Sequence, residues 1–582
     1  MSVIRVVKKF NLILSRHQKL RIFELGILMI IAGFMEMLSV SLILPFTEAV
    51  MNPAKFMEKD YVKYICDRIH VQDYRTFLID LALLMAAVYV IKNAFLMFQM
   101  VIQSRFVNNN RFAVQKRLLA NYLSRSYEFF LNVKSGEVMQ TVNNDTLTAF
   151  SLLTTLLSFF SEMIVSITLV ATIFVIAPGI TLGVAALMLL MVGIIQVLFR
   201  PWIQRIGVAG RQASAKMHQW LLQSIQGIKE VKIMRREKQF ERYYEEIGAV
   251  QVRSSYLYST LSQFPRFMIE ATSMAAFFLV IALMINRGVD LEAIVPMLSG
   301  VAMAAIRLLP SINRISAALS SLSYYEVSLD KLYEKLVDTE NTKDVLDCEN
   351  VDEPTKPLID SDAIICLDKV DYKYPKGEKY ILQDACLEIK KGESVGIVGA
   401  SGAGKTTAMD IILGLLRPTS GGVYFKGKNI QLDKTEWLKH VGYIPQSIFM
   451  LDGTVRDNVT FGMKDGVNDK KVWKALKDAA IDDYIRTLPD GLDTELGEQG
   501  VRLSGGQKQR IGIARALYSE PDVLFFDEAT SALDNETENA IMDSINKLHG
   551  TKTLIIIAHR LTTIEGCDHV YRVENQKIIR ER

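Results

Sequence analysis

The chain has 582 residues, too many for a single hydrophobic core, so two or more structural units are expected. Half of the residues are hydrophobic and the mean hydropathy is +0.18, high for a soluble protein, while a net charge of +3 is too small to argue for nucleic acid. Cys66, Cys348, Cys366, Cys386 and Cys567 are odd in number and lack CxxC spacing, so neither a disulfide framework nor a zinc site is indicated.

Residues 1–21 carry Arg5, Lys8, Lys9, Arg16, Lys19 and Arg21 and no acid, ahead of an apolar run long enough to cross a bilayer. Six such spans are predicted, at 22–46, 77–103, 151–177, 180–199, 261–285 and 291–317. The segments after the second and fourth spans, 104–134 and 200–242, are long and rich in Lys and Arg. The links after the third and fifth, Ala177–Ile180 and Asn286–Asp290, are short. By the positive-inside rule both chain ends are then cytoplasmic, in a cell inner (plasma) membrane. The basic segments keep a helical pattern, so they read as extensions of the spans, about 45 Å long for thirty residues. Their turning points near 126–136 and 220–232 are candidates to touch a partner domain.

The outer stretch 47–76 mixes Met51, Phe56, Tyr61, Val62 and Ile65 with charges, as a helix at the membrane surface or on the bundle rim would. Charges inside apolar runs cost about 2.5–3.5 kcal/mol each on insertion scales and are functional candidates by default. Glu36, Lys92, Glu162, Arg266, Glu270 and Arg307 are in this position. Lys92, Arg266 and Arg307, from three different spans, suit an anionic head group in a common cavity. Internal pairing, Lys92 with Glu36 for instance, is the competing reading.

Apolar patterning ends at residue 337. Residues 338–362 hold nine acids against two lysines, with Pro354 and Pro357, and read as a linker. An α/β domain follows over 363–582. A strand at 394–398 runs directly into Gly399-Ala400-Ser401-Gly402-Ala403-Gly404-Lys405-Thr406, the GxxxxGK[ST] phosphate loop, with a helix opening at 405. Backbone N–H groups and Lys405 would hold the phosphates of ATP, and Thr406 a magnesium ion. Thr407 belongs to the same cradle. The apolar strand Val523–Phe526 ends in Asp527-Glu528, a magnesium partner and a general base for water.

With Leu503-Ser504-Gly505-Gly506-Gln507, the signature pentapeptide of ABC ATPases, the whole chain resembles a half-size ABC exporter. The resemblance implies that Ser504, Gly505, Gly506 and Gln507 cap the ATP held by a second copy. It assigns Tyr374 in Tyr372–Pro375 to the adenine ring, and Gln446 in Tyr443–Gln446 to magnesium and water. It places Asp534 in Ser531–Asp534 at the dimer seam, and His559 in Ala558–Arg560 beside the γ-phosphate. Thr494–Gly500 resembles the segment that communicates with the membrane helices. A single phosphate loop and a single signature cannot face each other within one domain, so a homodimer is expected.

In this reading ATP closes two ATPase domains, the cavity changes its exposure, and hydrolysis through Glu528 resets it. The segment Gly33–Phe46, the long outer stretch and the three cations look like the bacterial lipid-linked oligosaccharide flippase family typified by PglK. That likeness implies a polyprenyl-pyrophosphate glycan as cargo, carried from the inner to the outer leaflet. The alternative on the same scaffold is a multidrug, lipid or peptide exporter.

Overall fold

Runs of apolar sequence longer than a bilayer is thick have to satisfy every backbone N–H and C=O internally, and the α-helix does this. A computed structural model describes residues 2–42, 46, 49–50, 56–57, 62, 74–176, 178–286, 291–343, 363–375, 377–527, 548–558 and 564–582. The chain divides into two compact units. One is formed by residues 1–125 and 132–344, the other by 126–131 and 345–582.

The first unit is helical. In chain order it holds α1 (Ser2–Ile13), α2 (Arg16–Ser41), α3 (Tyr74–Leu123), α5 (Ser135–Met139) and a π-helical stretch at Gln140–Asp145, while α4 (Tyr127–Asn132), between α3 and α5 in sequence, belongs to the second unit but for its last residue. Then follow α6 (Thr146–Ile176), α7 (Pro178–Gln226), α8 (Ile228–Ile233), α9 (Glu237–Asn286) and α10 (Leu291–Lys343). Six of these helices carry the expected apolar runs in their described residues, although α2 ends at Ser41, short of the expected 46, and α3, α7, α9 and α10 are 50, 49, 50 and 53 residues long, well beyond what a bilayer needs. Among the described residues, Arg16–Ser39, Tyr74–Leu123 and Ser135–Ala171 contain windows apolar enough to cross a membrane. Helical hydrogen bonding does not stop where apolar composition does, so α2 begins at Arg16 with Lys19 and Arg21 inside the helix. The basic N-terminal flank is itself an amphipathic helix, α1, which the apolar pattern alone did not delimit. The turning points expected near 126–136 and 220–232 are the short helices α4 and α8.

The helices bury Leu25, Met29 and Ala32 of α2, Leu152, Leu153 and Leu157 of α6, and Leu322, Leu329 and Leu332 of α10. Asp145 is fully buried and accepts two hydrogen bonds from Arg211, at 3.0 Å from Nε and 2.6 Å from Nη2. Of the outer stretch, Ala49, Phe56 and Val62 are described; they are buried and gather with Phe77, Leu78 and Leu81 of α3. The rest of 47–73 lies outside the described residues, apart from Val50 and Met57.

The second unit is built on two sheets. A four-stranded antiparallel sheet runs in the order β2 (Leu382–Lys390), β1 (Ala363–Tyr372), β4 (Ser420–Phe425), β5 (Lys428–Asn429). A six-stranded sheet runs β10 (Lys577–Arg580), β9 (His569–Glu574), β3 (Ser394–Val398), β8 (Thr553–Ile557), β7 (Val523–Asp527), β6 (Val441–Ile444). From β9 to β6 all neighbours are parallel, and β3, β7 and β8 are buried along their whole length. Continuous apolar strands of this kind need cover on both faces, which splits the core into two clusters. Ligands of such sheets bind beyond the carboxyl ends of the strands. The phosphate loop after β3 and the carboxylate ending β7 both lie at that edge.

Candidate nucleotide site and intramembrane charges

The loop Gly399–Gly404 leaves β3 and enters α11 (Lys405–Ile412) at once. Its bends require glycine at two places. Gly399 has φ +153° and a Cβ there would lie 2.5 Å from the Val573 carbonyl oxygen. Gly404, at φ +104°, caps α11, and a Cβ would meet Ile381 Cγ2 at 2.9 Å. Any side chain at either position would push the loop away from the helix end. Ser401, Gly402 and Thr406 are exposed along this cradle. Lys405 is buried, and its ammonium donates to the carbonyls of Gly399 at 2.9 Å and Ala400 at 3.1 Å. A cation held beside the first free N–H groups of a helix is a donor set that suits a phosphate.

Thr407 is buried, and its hydroxyl lies 3.2 Å from the phenol of Tyr374. The residue matched to the adenine ring is thereby tied to the helix that follows the phosphate loop. Asp527 is buried at the end of β7, while Gln446, two residues beyond β6, is exposed. Thr406 and Asp527 offer a hydroxyl and a carboxylate, the oxygen donors that magnesium prefers. Ser504 and Gln507 cap α12 (Gly505–Tyr518) reciprocally. Gln507 N donates to Ser504 Oγ at 3.3 Å, and Ser504 N donates to Gln507 Oε1 at 2.9 Å. Gly505 is exposed and Gly506 half-buried at the open N-terminus this leaves. Glu528, Asp534 and His559 lie outside the described residues.

Sequence reasoning passed over Asp410, the one acid in α11. Burial, then the nearby charge of Asp527, raises its carboxyl to about 6. Burial and the charges of Asp527 and Asp410 also push the Tyr443 phenol well up. The only sequence signal was a lone acid among the apolar residues that follow Thr407 in this helix. Residues 126–131 join this same unit: Arg417 N donates to Glu128 Oε1 at 3.2 Å. Burial, then Asp410 and Tyr374, raises the Tyr127 phenol. The first turning point thus sits against α11 and the adenine-side tyrosine.

The intramembrane charges separate into different situations. Lys92 Nζ lies 2.8 Å from Glu36 Oε2, and the Lys92 side chain is 8% exposed. Of the two readings of Lys92, cavity cation or internal partner of Glu36, the described geometry has the pair, with the charge matched by a carboxylate from the neighbouring helix. Glu162 Oε1 is paired with Arg314 Nε at 2.7 Å. Arg266 and Glu270 are exposed on α9, and no ion pair involves either among the described residues. Arg307 lies on α10, and its side chain is outside the described residues.

The family model described as ABC transporter transmembrane region matches residues 22–305, and the one described as ABC transporter matches 382–531. This chain carries the membrane region and the ATP-binding domain of an ABC transporter. A solved structure titled as a bacterial Atm1-family ABC exporter with ATP bound superposes with a TM-score of 0.76, over 96% of this chain and 94% of the other. Identity to it is 23%, so the likeness is one of fold. A putative multidrug export ATP-binding/permease protein of Staphylococcus aureus is 40% identical over 225 residues, 38% of this chain and 39% of the relative. The heterocyst differentiation ATP-binding protein HepA of Nostoc is 35% identical over 285 residues, 47% of this chain and 44% of that protein. The ABC multidrug transporter MDR5 of Trichophyton rubrum is 38% identical over 224 residues, 38% of this chain and 17% of that protein. The matched stretch is thus less than half the length of each of these curated relatives.

Proposed function

We propose that two copies of this ABC transporter chain form an exporter that hydrolyses ATP and moves a lipid-linked oligosaccharide from the inner to the outer leaflet of the plasma membrane, with both chain ends cytoplasmic. ATP lies along the phosphate loop with Lys405 against its phosphates and Tyr374 against adenine. Asp527 and Thr406, with Gln446, would hold magnesium, which would supply positive charge against the phosphates. Glu528 takes the proton of the attacking water, and Gln446 and His559 orient the reacting groups. Ser504–Gln507 of one copy completes the site of the other, with Asp534 at the seam. The contact of Glu128 and Tyr127 with α11 carries closure toward the spans.

The observation that favours an anionic-headed cargo is Arg266. A guanidinium exposed on α9 within an apolar run is costly unless a partner matches its charge. A pyrophosphate meets that need with paired oxygens. The relatives named for multidrug export favour a second reading, a drug exporter on the same engine. Their resemblance extends over 224 and 225 residues, too little to include all six spans together with the ATPase.

The deciding experiment is ATP-dependent movement of a polyprenyl-pyrophosphate glycan in proteoliposomes, read by side-specific accessibility of the glycan. Appearance on the far leaflet, abolished by Glu528→Gln, supports the reading. Glu528→Gln should still bind ATP, and substantial residual hydrolysis would remove Glu528 from the base role. ATP hydrolysis with drug efflux and no lipid movement would establish the second reading.

A further inference from the structure

Three elements of the helical unit meet at one buried carboxylate. Glu326 of α10 is 3% exposed. Its Oε1 lies 3.5 Å from Arg5 Nη1 of α1, and its Oε2 accepts from Gln204 Nε2 of α7 at 3.1 Å and lies 4.0 Å from Arg200 Nη2. Two guanidinium groups thus share one carboxylate and leave one net positive charge. Lys9, also on α1, does not change this balance, because it is paired with Asp330. Neither arginine is used up: the Arg5 side chain is 57% exposed, that of Arg200 is 30% exposed, and Arg200 Nε has no partner among the described residues.

The position of this cluster follows from connectivity. Only Leu14 and Ser15 separate α1 from α2, so α1 lies at the membrane boundary where α2 begins. Arg200 directly follows the apolar run 180–199 of α7, and Trp202 beside it is 60% exposed, as an aromatic ring at head-group level is. One face of α1 is already occupied, with Val6, Phe10 and Ile13 buried and Phe10 edge-on to Phe150 at 6.2 Å. The opposite face is not polar. Ile4, Val7 and Leu12 are 64%, 39% and 64% exposed, and Lys8 stands among them. An apolar stripe set with cations is the pattern of a helix lying in an anionic interface.

We propose that the junction where α1 and α7 meet Glu326 of α10 binds the phosphate of an anionic phospholipid, held by Arg5 and Arg200 over Glu326, with its acyl chains along Ile4, Val7 and Leu12. The site takes lipid from the leaflet at the start of α2 and is separate from any cargo path. It rests on the membrane placement of α2 and α7. A lipid there ties α1 to α7 and α10, adding an anion where the protein alone leaves a surplus cation.

The test uses the full chain in phosphatidylcholine vesicles, with Trp202 as reporter and brominated phosphatidylglycerol or brominated phosphatidylcholine as quencher. The Trp202→Phe protein defines which part of the signal belongs to the site. Brominated phosphatidylglycerol is expected to quench at about fivefold lower mole fraction than brominated phosphatidylcholine, the selectivity that one cation near an anionic lipid provides. Arg5→Gln should bring the two quenchers to parity. Should Arg5→Gln lower the yield of folded protein, Lys8→Gln, an exposed change on the same face, should reduce the preference about twofold or more. Equal quenching by both lipids in the unmodified chain would overturn the proposal. So would displacement by soluble glycerol phosphate, which would make this a site for free phosphate esters. ATP hydrolysis in the same vesicles reports the engine independently, so a failure of the exporter reading would not be mistaken for a failure of the lipid site.

Discussion

Removing the carboxylate of Glu36 while leaving Lys92 in place isolates the energetics of the intramembrane pair. In the structure the two charges are 2.8 Å apart, with side chains 8% and 22% exposed, and the ammonium stands 4.9 Å from the Tyr89 ring centre. Glu36→Gln keeps the shape and leaves a lone ammonium at membrane depth. An unmatched lysine there costs about 2.5–3.5 kcal/mol on insertion scales. Breaking buried pairs in soluble proteins costs about 3–5 kcal/mol. The lower range applies, because Tyr89 and a glutamine carbonyl still face the cation. Two decades in the folding equilibrium are therefore at stake, about 70-fold at the low end. The double variant Glu36→Gln/Lys92→Gln carries no charge and should lose less than about 1.5 kcal/mol, since a neutral pair of similar volume often replaces an ionic one at little cost. The assay is denaturant titration in mixed micelles followed by circular dichroism. Equal losses in the single and double variants would refute the argument, because Lys92 would then not depend on Glu36. Transport by the folded double variant adds the functional answer: retained cargo movement makes the pair a clamp between α2 and α3, and lost movement with intact ATP hydrolysis returns Lys92 to the cargo path.

Other outcomes follow from the same structure. Arg211→Met should destabilise the helical unit by about 3–5 kcal/mol, since Asp145 is fully buried, and Asp145→Leu added to it should recover most of the loss in thermal unfolding. The raised carboxyl of Asp410 makes the native state bind more protons than the unfolded chain between its ordinary value of 3.8 and about 6. Stability of the ATPase unit should therefore fall as pH rises through that window, and Asp410→Asn should flatten the slope in melting curves taken with EDTA at pH 4.5 and 7. Among the described cysteines, Cys386 is exposed while Cys366 and Cys567 are buried, and burial raises the Cys366 thiol to about 11. Maleimide treatment of the native protein should modify Cys386 at least tenfold faster than either, as read by peptide mass spectrometry. Glu128→Ala removes the acceptor of Arg417 N and should lower transport per ATP hydrolysed, while ATP affinity stays within about twofold.

Much of the site was legible because its chemistry is local. A phosphate loop needs glycines, a lysine and a helix start in immediate succession, so Gly399–Thr406 announces both its backbone shape and its ligand. The Ser504–Gln507 capping box is equally short-range, three residues apart. The intramembrane charges were readable as a set, because an ionisable residue stands out in an apolar run whatever it touches. Which of them is matched was not readable. Lys92 and Glu36 are 56 positions apart in sequence, and only the packing of α2 on α3 brings them within 2.8 Å. Asp410 was missed for the same reason: its carboxyl is perturbed by Asp527, a residue on another element of the fold.

By itself, the amino-acid sequence determined the elements. Apolar runs that exceed the bilayer thickness satisfy their backbone as helix, and glycines in a GxxxxGK[ST] string make available the tight turns of a loop around a phosphate. The acidic, proline-bearing linker was expected from 338, yet α10 runs on to Lys343, and 344–362 lie outside the described residues. Tertiary structure decided what those elements bring together: residues 126–131 against α11, Arg5 and Arg200 over one buried glutamate, and a lysine already held by its neighbour. The physical reason is range. Backbone conformation and membrane insertion are governed by residues within a few turns of each other. Charge matching and burial depend on surfaces whose partners are chosen only when the helices and sheets have packed.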